Sequence, residues 1–421
     1  MSDTINIEKL REEVNPVYST AQSCLQIVAK IGDKDSEELR KKLGFAVFGE
    51  DSKARKVEIP EETLRLLYKM MPALNSIVEA RFFSSNNFIT ETGVKQVLDL
   101  PCGYTSRGIK LAKSGIRYFG FDLPAVIDAI SPAVKELIDD NNITYSEVDA
   151  TNYASLRKAL SCAEGELHIT TEGLLMYFTQ SELETVFGNI RKLLLEFGGK
   201  WVTLDNALTD IPNKIVAAIM ADMNGSDSGR IQDIAAGAIS KTTLANTVFF
   251  DKDTEKAKKF VSDMGFELEL VPMSRFLPKE LNSLKGMSPE EQEKAMEIMR
   301  SVNYWVMTAK PGTVEEFACS EDNFKADVKL TDDTLNISLA GRLDTISSPG
   351  LLAAYRDAET KGKITSISID MKELEYISSA GLRVLLIMRK AVKDEKSFSL
   401  INVSDNVKEI IETTGFDTIF C

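Results

Sequence analysis

Apolar positions along the chain follow two different periods. Over EETLRLLYKMMPALNSIVEARFF (61–83) apolar residues recur at intervals of three and four, which predicts a helix. From about residue 95 short apolar runs alternate with helical stretches, beginning with VKQVLDL (94–100). Strands that alternate with helices form a parallel sheet covered on both faces. We therefore predict a helical cap over residues 1–90 and an α/β domain over 91–310.

The predicted sheet has five strands in its first half and two closing strands. They are VKQVLDL (94–100), IRYFGFDL (116–123), ITYSEVDAT (143–151), GELHITTEG (165–173), KWVTLDN (200–206), GFELELVPM (265–273) and NYWVMTAK (303–310). Ser131 followed by Pro132 predicts one helix start, and the Ser181–Glu184 spacing predicts a capping box at another. Ligands of such sheets bind at the carboxyl ends of the strands.

A polar stretch separates this sheet from a second α/β unit. PGTVEEFACSEDN (311–323) begins with Pro-Gly and follows a complete strand, so we predict a linker. Residues 324–421 then predict a strand hairpin, further strands and helices, with Ser348 as the N-cap of the first helix. The predicted fold class is thus α/β, with a smaller second α/β domain.

Composition excludes several classes of function. Sixty-four acidic residues against 50 basic ones give a net charge of −14, which argues against nucleic-acid or anionic-membrane partners. His168 is the only histidine, and none of the five cysteines forms a CxxC pair, so we predict no metal site. Scattered cysteines and the lack of a long apolar run predict a soluble, cytoplasmic protein.

Four acids fall at the ends of the first four predicted strands. They are Asp99, Asp122, Asp149 and Glu172, spaced by about one βα unit, with Gly103 in the turn after the first. An acid can simply cap the helix that follows it. Four acids in register favour a nucleoside site, in which the second takes the ribose hydroxyls and the third the adenine amino group.

The turn LDLPCGYTSRG (98–108) contains neither GxGxxG nor GxxxxGK[ST]. It resembles the first motif of class I S-adenosylmethionine methyltransferases, with Pro101 in place of the first glycine. Together with ARFFSSNNFI (80–89), FDLPAVIDA (121–129), VDAT (148–151) and EGLLMYF (172–178), it resembles the leucine carboxyl methyltransferase-like family. The resemblance covers 75–205 well and 1–310 loosely, and it implies a Rossmann-like methyltransferase sheet with S-adenosylmethionine as cofactor.

The resemblance also implies roles for individual residues. Arg81 would pair with the cofactor carboxylate, Asp122 would hold the ribose, and Glu172 would orient the methionine end. Tyr177 would be the catalytic residue near the methyl group, whereas Arg107 matches a family arginine of uncertain role. The cofactor-binding set implied in this way is Arg81, Asp99, Gly103, Asp122, Leu123, Asp149, Ala150, Glu172 and Gly173.

Methyl transfer from a sulfonium is an in-line displacement, for which the protein supplies proximity and orientation and needs no metal. A carboxylate acceptor needs no base, whereas a hydroxyl or amine needs a proton acceptor. His168, Asp205 and Tyr177 remain open for that role. The predicted function is an O-methyltransferase acting on a small-molecule or carboxylate acceptor.

Two motifs in the second unit, GRLDTISSPGL (341–351) and LEYISSAGLRVLL (374–386), resemble STAS domains, the sulfate transporter and anti-sigma factor antagonist family. The resemblance covers 324–421 and implies a protein partner, either a kinase or an anti-sigma-like protein. It implies phosphorylation of Ser379, although Ser378 stands where the family often has Asp. Alternatively, Ser379 is only the N-cap of its helix. A separate alternative for the whole chain is a non-catalytic signalling protein, similar to an anti-sigma factor antagonist, that uses a degenerate methyltransferase fold as a sensor or scaffold.

Overall fold

The computed structural model describes residues 16–48, 61–207, 210–220, 247–312, 314–392 and 397–420. The chain divides into two compact units, Met1–Lys310 and Pro311–Cys421. No helix in these described ranges is long and apolar enough to cross a membrane.

A seven-stranded sheet forms the centre of the N-terminal unit. Its strands are β1 (Gln96–Asp99), β2 (Arg117–Asp122), β3 (Ile143–Glu147), β4 (Leu167–Thr171), β5 (Gly199–Thr203), β6 (Phe266–Pro272) and β7 (Asn303–Ala309). Their order is β3-β2-β1-β4-β5-β7-β6, in which β1 to β5 are parallel and β7 is antiparallel to both of its neighbours. The first five strands follow the order of a doubly wound sheet, which confirms the predicted α/β class.

Ten described helices surround this sheet. They are α1 (Pro16–Lys30), α2 (Lys34–Lys42), α3 (Glu61–Glu91), α4 (Arg107–Lys113), α5 (Pro124–Leu137), α6 (Tyr153–Ala159), α7 (Gln180–Phe197), α8 (Asp210–Met220), α9 (Thr254–Asp263) and α10 (Pro289–Arg300). Helices α1 to α3 precede the sheet, and α3 contains the stretch 61–83 for which the apolar period predicts a helix. The predicted helical cap also includes residues 1–15 and 49–60, which lie outside the described residues. Helix α3 continues for two turns beyond the predicted stretch, to Glu91, and contains Pro72.

Both faces of the sheet are buried, because neighbouring strand residues enter different cores. Val97 and Tyr118 belong to the core formed with α4 and α5. Leu98 and Phe119 belong to the core formed with α7 and α9. The central strands β1 and β2 therefore lack a polar face, as expected for parallel strands covered by helices on both sides.

Two predicted helix starts are wrong. Helix α5 begins at Pro124, seven residues before Ser131, because a proline at the first helical position has no N–H to satisfy. The capping box of α7 uses Thr179 and Glu182, whose side chain and backbone groups bond each other. Ser181 lies inside that helix.

The C-terminal unit has a five-stranded sheet in the order β12-β11-β10-β9-β8. Strands β10 to β12 are parallel, whereas β8, β9 and β10 are antiparallel neighbours. The strands are β8 (Val314–Glu321), β9 (Phe324–Thr331), β10 (Thr334–Leu343), β11 (Ser366–Ile377) and β12 (Phe398–Ile401), and the described helices are α11 (Ser348–Lys361), α12 (Ser379–Ala391), α13 (Asp405–Thr413) and α14 (Asp417–Phe420). The predicted hairpin is confirmed as β9 and β10.

The stretch predicted as a linker contains strand β8. Cys319 is buried and Phe317 packs against the core of the unit, so this polar segment buries alternate residues. The backbone N–H and C=O groups of β8 find hydrogen-bond partners in the antiparallel strand β9. A further prediction is off by one residue, because the N-cap of α11 is Ser347 and Ser348 is the first helical residue.

Candidate functional site

A cavity of about 380 Å³ lies at the carboxyl ends of β1, β2 and β4. These three strands are parallel neighbours, so the residues that follow them meet at one edge of the sheet. Helices α1 and α3 supply the remaining sides, through residues such as Cys24 and Ile77. Its volume lies in the range typical of small-molecule sites.

Five of the predicted cofactor-binding residues and the predicted catalytic residue, Tyr177, line this cavity, and so does Pro101 of the turn. The five are Arg81, Gly103, Asp122, Glu172 and Gly173. They come from four separate parts of the chain, and the fold brings them together at the strand ends.

Four other predicted residues are not among the described residues that line the cavity. Asp99 is buried beneath it. Leu123 is 41% exposed and follows Asp122. Asp149 is exposed and accepts hydrogen bonds from the backbone and hydroxyl of Thr151. Ala150 is buried, and its carbonyl accepts a hydrogen bond from Asn189.

The glycine turn is held against the end of β2 by one carboxylate. The Gly103 N–H donates to Oδ2 of Asp122 at 2.8 Å, and the Leu123 N–H donates to Oδ1 at 2.8 Å. Gly103 has φ +52°, in the left-handed region that favours glycine. Burial raises the pKa of Asp122, and these two N–H donors oppose that shift. An ionised carboxylate has about four acceptor positions, so capacity remains for a ligand.

Four charged side chains form a cluster beside the turn: Arg81, Asp99, Arg107 and Glu172. Arg107 is 3% exposed and donates to Asp99 Oδ1 at 2.8 Å and to Glu172 Oε1 at 2.6 Å. Arg81 reaches Glu172 Oε2 only at 3.4 Å. Its buried Nε has no hydrogen-bond partner among the described residues. Arg81 therefore has donor capacity for an anionic group in the cavity.

The two carboxyl groups of the cluster titrate differently. Burial raises the pKa of Asp99 to about 6, against the opposing effect of Arg107. Burial also acts to raise the pKa of Glu172, but Arg107 and Arg81 together hold it below its ordinary value. Glu172 is thus a carboxylate at neutral pH and can accept a hydrogen bond from a cation in the cavity.

Of the three possible proton acceptors, only Tyr177 lines the cavity. His168 is buried within β4, and burial lowers its pKa to about 3. Asp205 is buried and accepts N–H hydrogen bonds from three consecutive residues, 173 to 175, at 2.6 to 2.9 Å. Asp205 therefore anchors the loop that carries Tyr177. Burial, then Asp205 and Cys24, raise the pKa of Tyr177, so that its hydroxyl stays protonated near neutral pH.

The sequence contains only a weak indication that α1 lines the cavity. Ala21, Cys24, Leu25 and Val28 line the cavity and recur at helical spacing, which by itself is equally typical of a core helix. A Cβ added to Gly103 would lie 3.6 Å from Cβ of Ala21. The first described helix therefore covers the glycine turn directly.

In the C-terminal unit, Ser379 is exposed at the start of α12. The N-cap of this helix is Ser378, whose hydroxyl accepts a hydrogen bond from the Gly381 N–H at 3.3 Å. The interpretation of Ser379 as a simple N-cap is therefore wrong. Its position as the first helical residue leaves the hydroxyl accessible to solvent.

Comparison with known proteins identifies the C-terminal unit. Residues 326–420 match the family described as "Mlab, STAS domain". BtrV of Bordetella bronchiseptica, provisionally described as an anti-sigma factor antagonist, is 32% identical over 98 residues, or 22% of this chain and 84% of BtrV. The anti-sigma-B factor antagonist of Bacillus subtilis is 29% identical over 98 residues, or 23% of this chain and 88% of that protein.

Solved structures similar to this chain include a methyltransferase. Magnesium protoporphyrin IX methyltransferase (ChlM) from Synechocystis PCC 6803, solved with bound SAH, is 12% identical with a TM-score of 0.31. The similarity covers 64% of this chain and 91% of that one.

Proposed function

The C-terminal unit of this chain belongs to the STAS domain family, and we propose that this unit regulates the protein through a protein partner. For the N-terminal unit we propose an S-adenosylmethionine-dependent O-methyltransferase. The observation that supports the enzymatic part is the cavity at the strand ends. There a glycine turn, the Asp122 carboxylate and an incompletely paired arginine face one space.

The polar groups of the cavity suit the parts of this cofactor. Arg81, whose Nε has no partner among the described residues, would bind the α-carboxylate of the cofactor. Glu172 would accept a hydrogen bond from the α-ammonium group. Asp122 would accept from the ribose hydroxyls with its remaining acceptor positions. The sulfonium supplies the methyl group, and the protein holds the acceptor in line with it.

The residues around the cavity favour an acceptor that needs no base. Tyr177 and Cys24 both line it, and burial raises the pKa of each, so both stay neutral near pH 7. Glu172 is paired with two arginines and is a poor proton acceptor. A carboxylate acceptor already carries its charge, and its oxygen attacks the methyl group without proton transfer.

The sides of the cavity favour an acceptor with an apolar body. The apolar side chains that line it include Leu25, Val28, Leu74, Ile77, Val78, Phe82, Val126 and Met176. Burial of alkyl or aromatic surface against them would contribute roughly 25 cal/mol per Å² to binding. The proposed substrate class is therefore a carboxylic acid with an apolar body.

Calorimetry with S-adenosylmethionine and with S-adenosylhomocysteine tests cofactor binding. Transfer of a labelled methyl group to a panel of aliphatic and aromatic acids, with matched alcohols as controls, tests the acceptor. We expect saturable binding of both compounds, and label in acids but not in alcohols. Absence of saturable binding would overturn the proposal, and label only in alcohols would overturn the acceptor class.

A second candidate function is non-catalytic signalling, favoured by the exposed Ser379 in a unit that belongs to the STAS family. In this version an anti-sigma-type kinase phosphorylates Ser379, and the N-terminal unit senses a ligand. Mass spectrometry of wild type and Ser379→Ala after incubation with such a kinase tests the modification. Cofactor binding without turnover of any acid or alcohol would favour this candidate over the enzyme.

A further inference from the structure

Arg107 differs from Arg81 in how completely its donors are used. Its Nε donates to Oδ1 of Asn86 at 3.0 Å, and its two terminal nitrogens donate to Asp99 and Glu172. The Arg107 side chain is 3% exposed. All three of its nitrogens thus bond to groups of the protein, and Arg107 cannot turn towards a ligand without breaking a buried contact.

The charges of the cluster explain why two arginines are present. Asp99 and Glu172 contribute two acids, and Arg107 bridges both of them. Arg81 contacts Glu172 at the longer distance of 3.4 Å and keeps its Nε without a partner among the described residues. Arg107 therefore orients and balances the buried carboxylates, which leaves Arg81 for an incoming anion.

Asn86 holds Arg107 from the other side. It lies on α3, five residues after Arg81, and is 7% exposed. Its Oδ1 accepts from Arg107, while its Nδ2 has no partner among the described residues. A buried amide donor without a partner is unfavourable for stability. The hydrogen bond that Oδ1 of Asn86 accepts from Arg107 explains why an amide stands at this buried position despite its unpaired Nδ2.

We propose that Asn86 and Arg107 are positioning residues for the amino-acid end of the cofactor. They hold the Glu172 carboxylate where it receives the α-ammonium group, and α3 places Arg81 beside it for the α-carboxylate. Neither residue acts on the adenosine end, which lies with Asp122 and Gly103. This inference rests on the proposed cofactor.

Two related compounds separate this role from a general effect on the fold. S-adenosylhomocysteine carries the amino-acid end, and 5′-methylthioadenosine lacks it. Loss of one charge-assisted hydrogen bond corresponds to about tenfold or more in affinity. We expect Asn86→Ala to weaken the binding of S-adenosylhomocysteine about tenfold and to change the affinity for 5′-methylthioadenosine less than about twofold. Asn86→Asp, which keeps an acceptor for Arg107, should restore most of the lost affinity.

The neighbouring asparagine is a matched control. Asn87 lies on the same turn of α3, and its Nδ2 donates to the Phe276 carbonyl at 2.8 Å. Asn87→Ala should leave the ratio of the two dissociation constants at its wild-type value. If Asn86→Ala does not fold, Arg107→Lys replaces it, because lysine keeps the charge but cannot reach three acceptors with a planar group.

The outcomes are distinct. If the wild type binds neither compound, the proposed function fails. If the wild type binds both compounds and the ratio does not change in the Asn86 or Arg107 variant, the positioning role is wrong. A change of the ratio in Asn87→Ala as large as in Asn86→Ala would also overturn it, since the effect would then belong to α3 as a whole.

Discussion

Gly103 donates its backbone N–H to the carboxylate of Asp122 at 2.8 Å, which joins the turn after β1 to the end of β2. The same carboxylate is the proposed ribose ligand. We therefore expect Asp122→Ala to weaken the binding of both S-adenosylhomocysteine and 5′-methylthioadenosine, each by about 1–3 kcal/mol. Asp128→Ala, which removes an exposed acid of α5, is the control, and calorimetry measures all three proteins. Unchanged affinity in Asp122→Ala would exclude this carboxylate from the site.

Gly103→Ala should destabilise the N-terminal unit, because an L-residue at φ +52° costs about 1–2 kcal/mol. The two tryptophans of the chain, Trp201 and Trp305, are both buried in this unit, so their fluorescence in urea reports its unfolding. Gly188→Ala is the opposite control. Gly188 lies inside α7 with nothing within 4 Å of an added Cβ, so the change should stabilise by about 0.5–1 kcal/mol.

His168 should remain neutral well below pH 6. Burial, with Arg107 adding to the effect, lowers its pKa from 6.5 to about 3. The unfolded chain binds the proton first as the pH falls, so this group contributes stability above pH 6.5 that is progressively lost towards pH 3. Between pH 6.5 and pH 5 the loss is about 2 kcal/mol.

Two measurements check this prediction for His168. The single histidine of the chain gives one Cε1–H resonance, whose chemical shift should not titrate near pH 6.5. His168→Leu should show a weaker pH dependence of the free energy of unfolding than the wild type over the same range. A resonance that titrates with a midpoint near 6.5 would contradict the buried, neutral imidazole.

Asp205 should prove to be an anchor rather than a proton acceptor. Loss of its three N–H hydrogen bonds in Asp205→Ala leaves backbone donors unsatisfied, and we expect a loss of about 3 kcal/mol in tryptophan-monitored urea unfolding. Asp205→Asn keeps one acceptor oxygen, so its free energy of unfolding should fall less than that of Asp205→Ala. Full stability with complete loss of methyl transfer would instead assign Asp205 to proton transfer.

Ser378 and Ser379 should differ in their effects on α12. Ser378→Ala removes the N-cap hydrogen bond to Gly381 and should cost about 1 kcal/mol, seen as faster hydrogen exchange of the α12 amides. Ser379→Ala should stay within about 0.5 kcal/mol of the wild type, because that side chain is exposed. Equal effects would contradict the assignment of the cap to Ser378.

The centre of the sheet was predictable because β1 and β2 are short apolar runs and because an acid stands at or near the end of each of the first four predicted strands. Helix boundaries were less so, because Thr179–Glu182 and Ser181–Glu184 have the same capping spacing, and only the tertiary structure selects the first. Strand β8 was not predictable because most of its exposed positions are polar. As an edge strand it pairs only with β9, so its backbone pairing leaves little apolar pattern in the sequence.

At the cavity, the sequence indicated which residues approach the strand ends but not how they pair. Asp99 is predicted as a cofactor ligand, whereas the structure places it in contact with Arg107 and Tyr118 beneath the cavity. That pairing joins a strand end, a helix and a neighbouring strand. No local pattern of side chains encodes such a contact, so the positioning role of Asn86 could not be read from spacing.

The position of α1 over the glycine turn has a practical consequence for dissecting this protein. A fragment cut between residues 90 and 91, at the predicted boundary between the helical cap and the α/β domain, would retain the sheet but lose Arg81 and every lining residue of α1 and α3. Such a truncated protein would expose the ends of β1 and β2 to water on the side that the helices close. The smallest piece able to capture a ligand therefore includes the leading helices α1 to α3, and every truncated version of this protein should keep them.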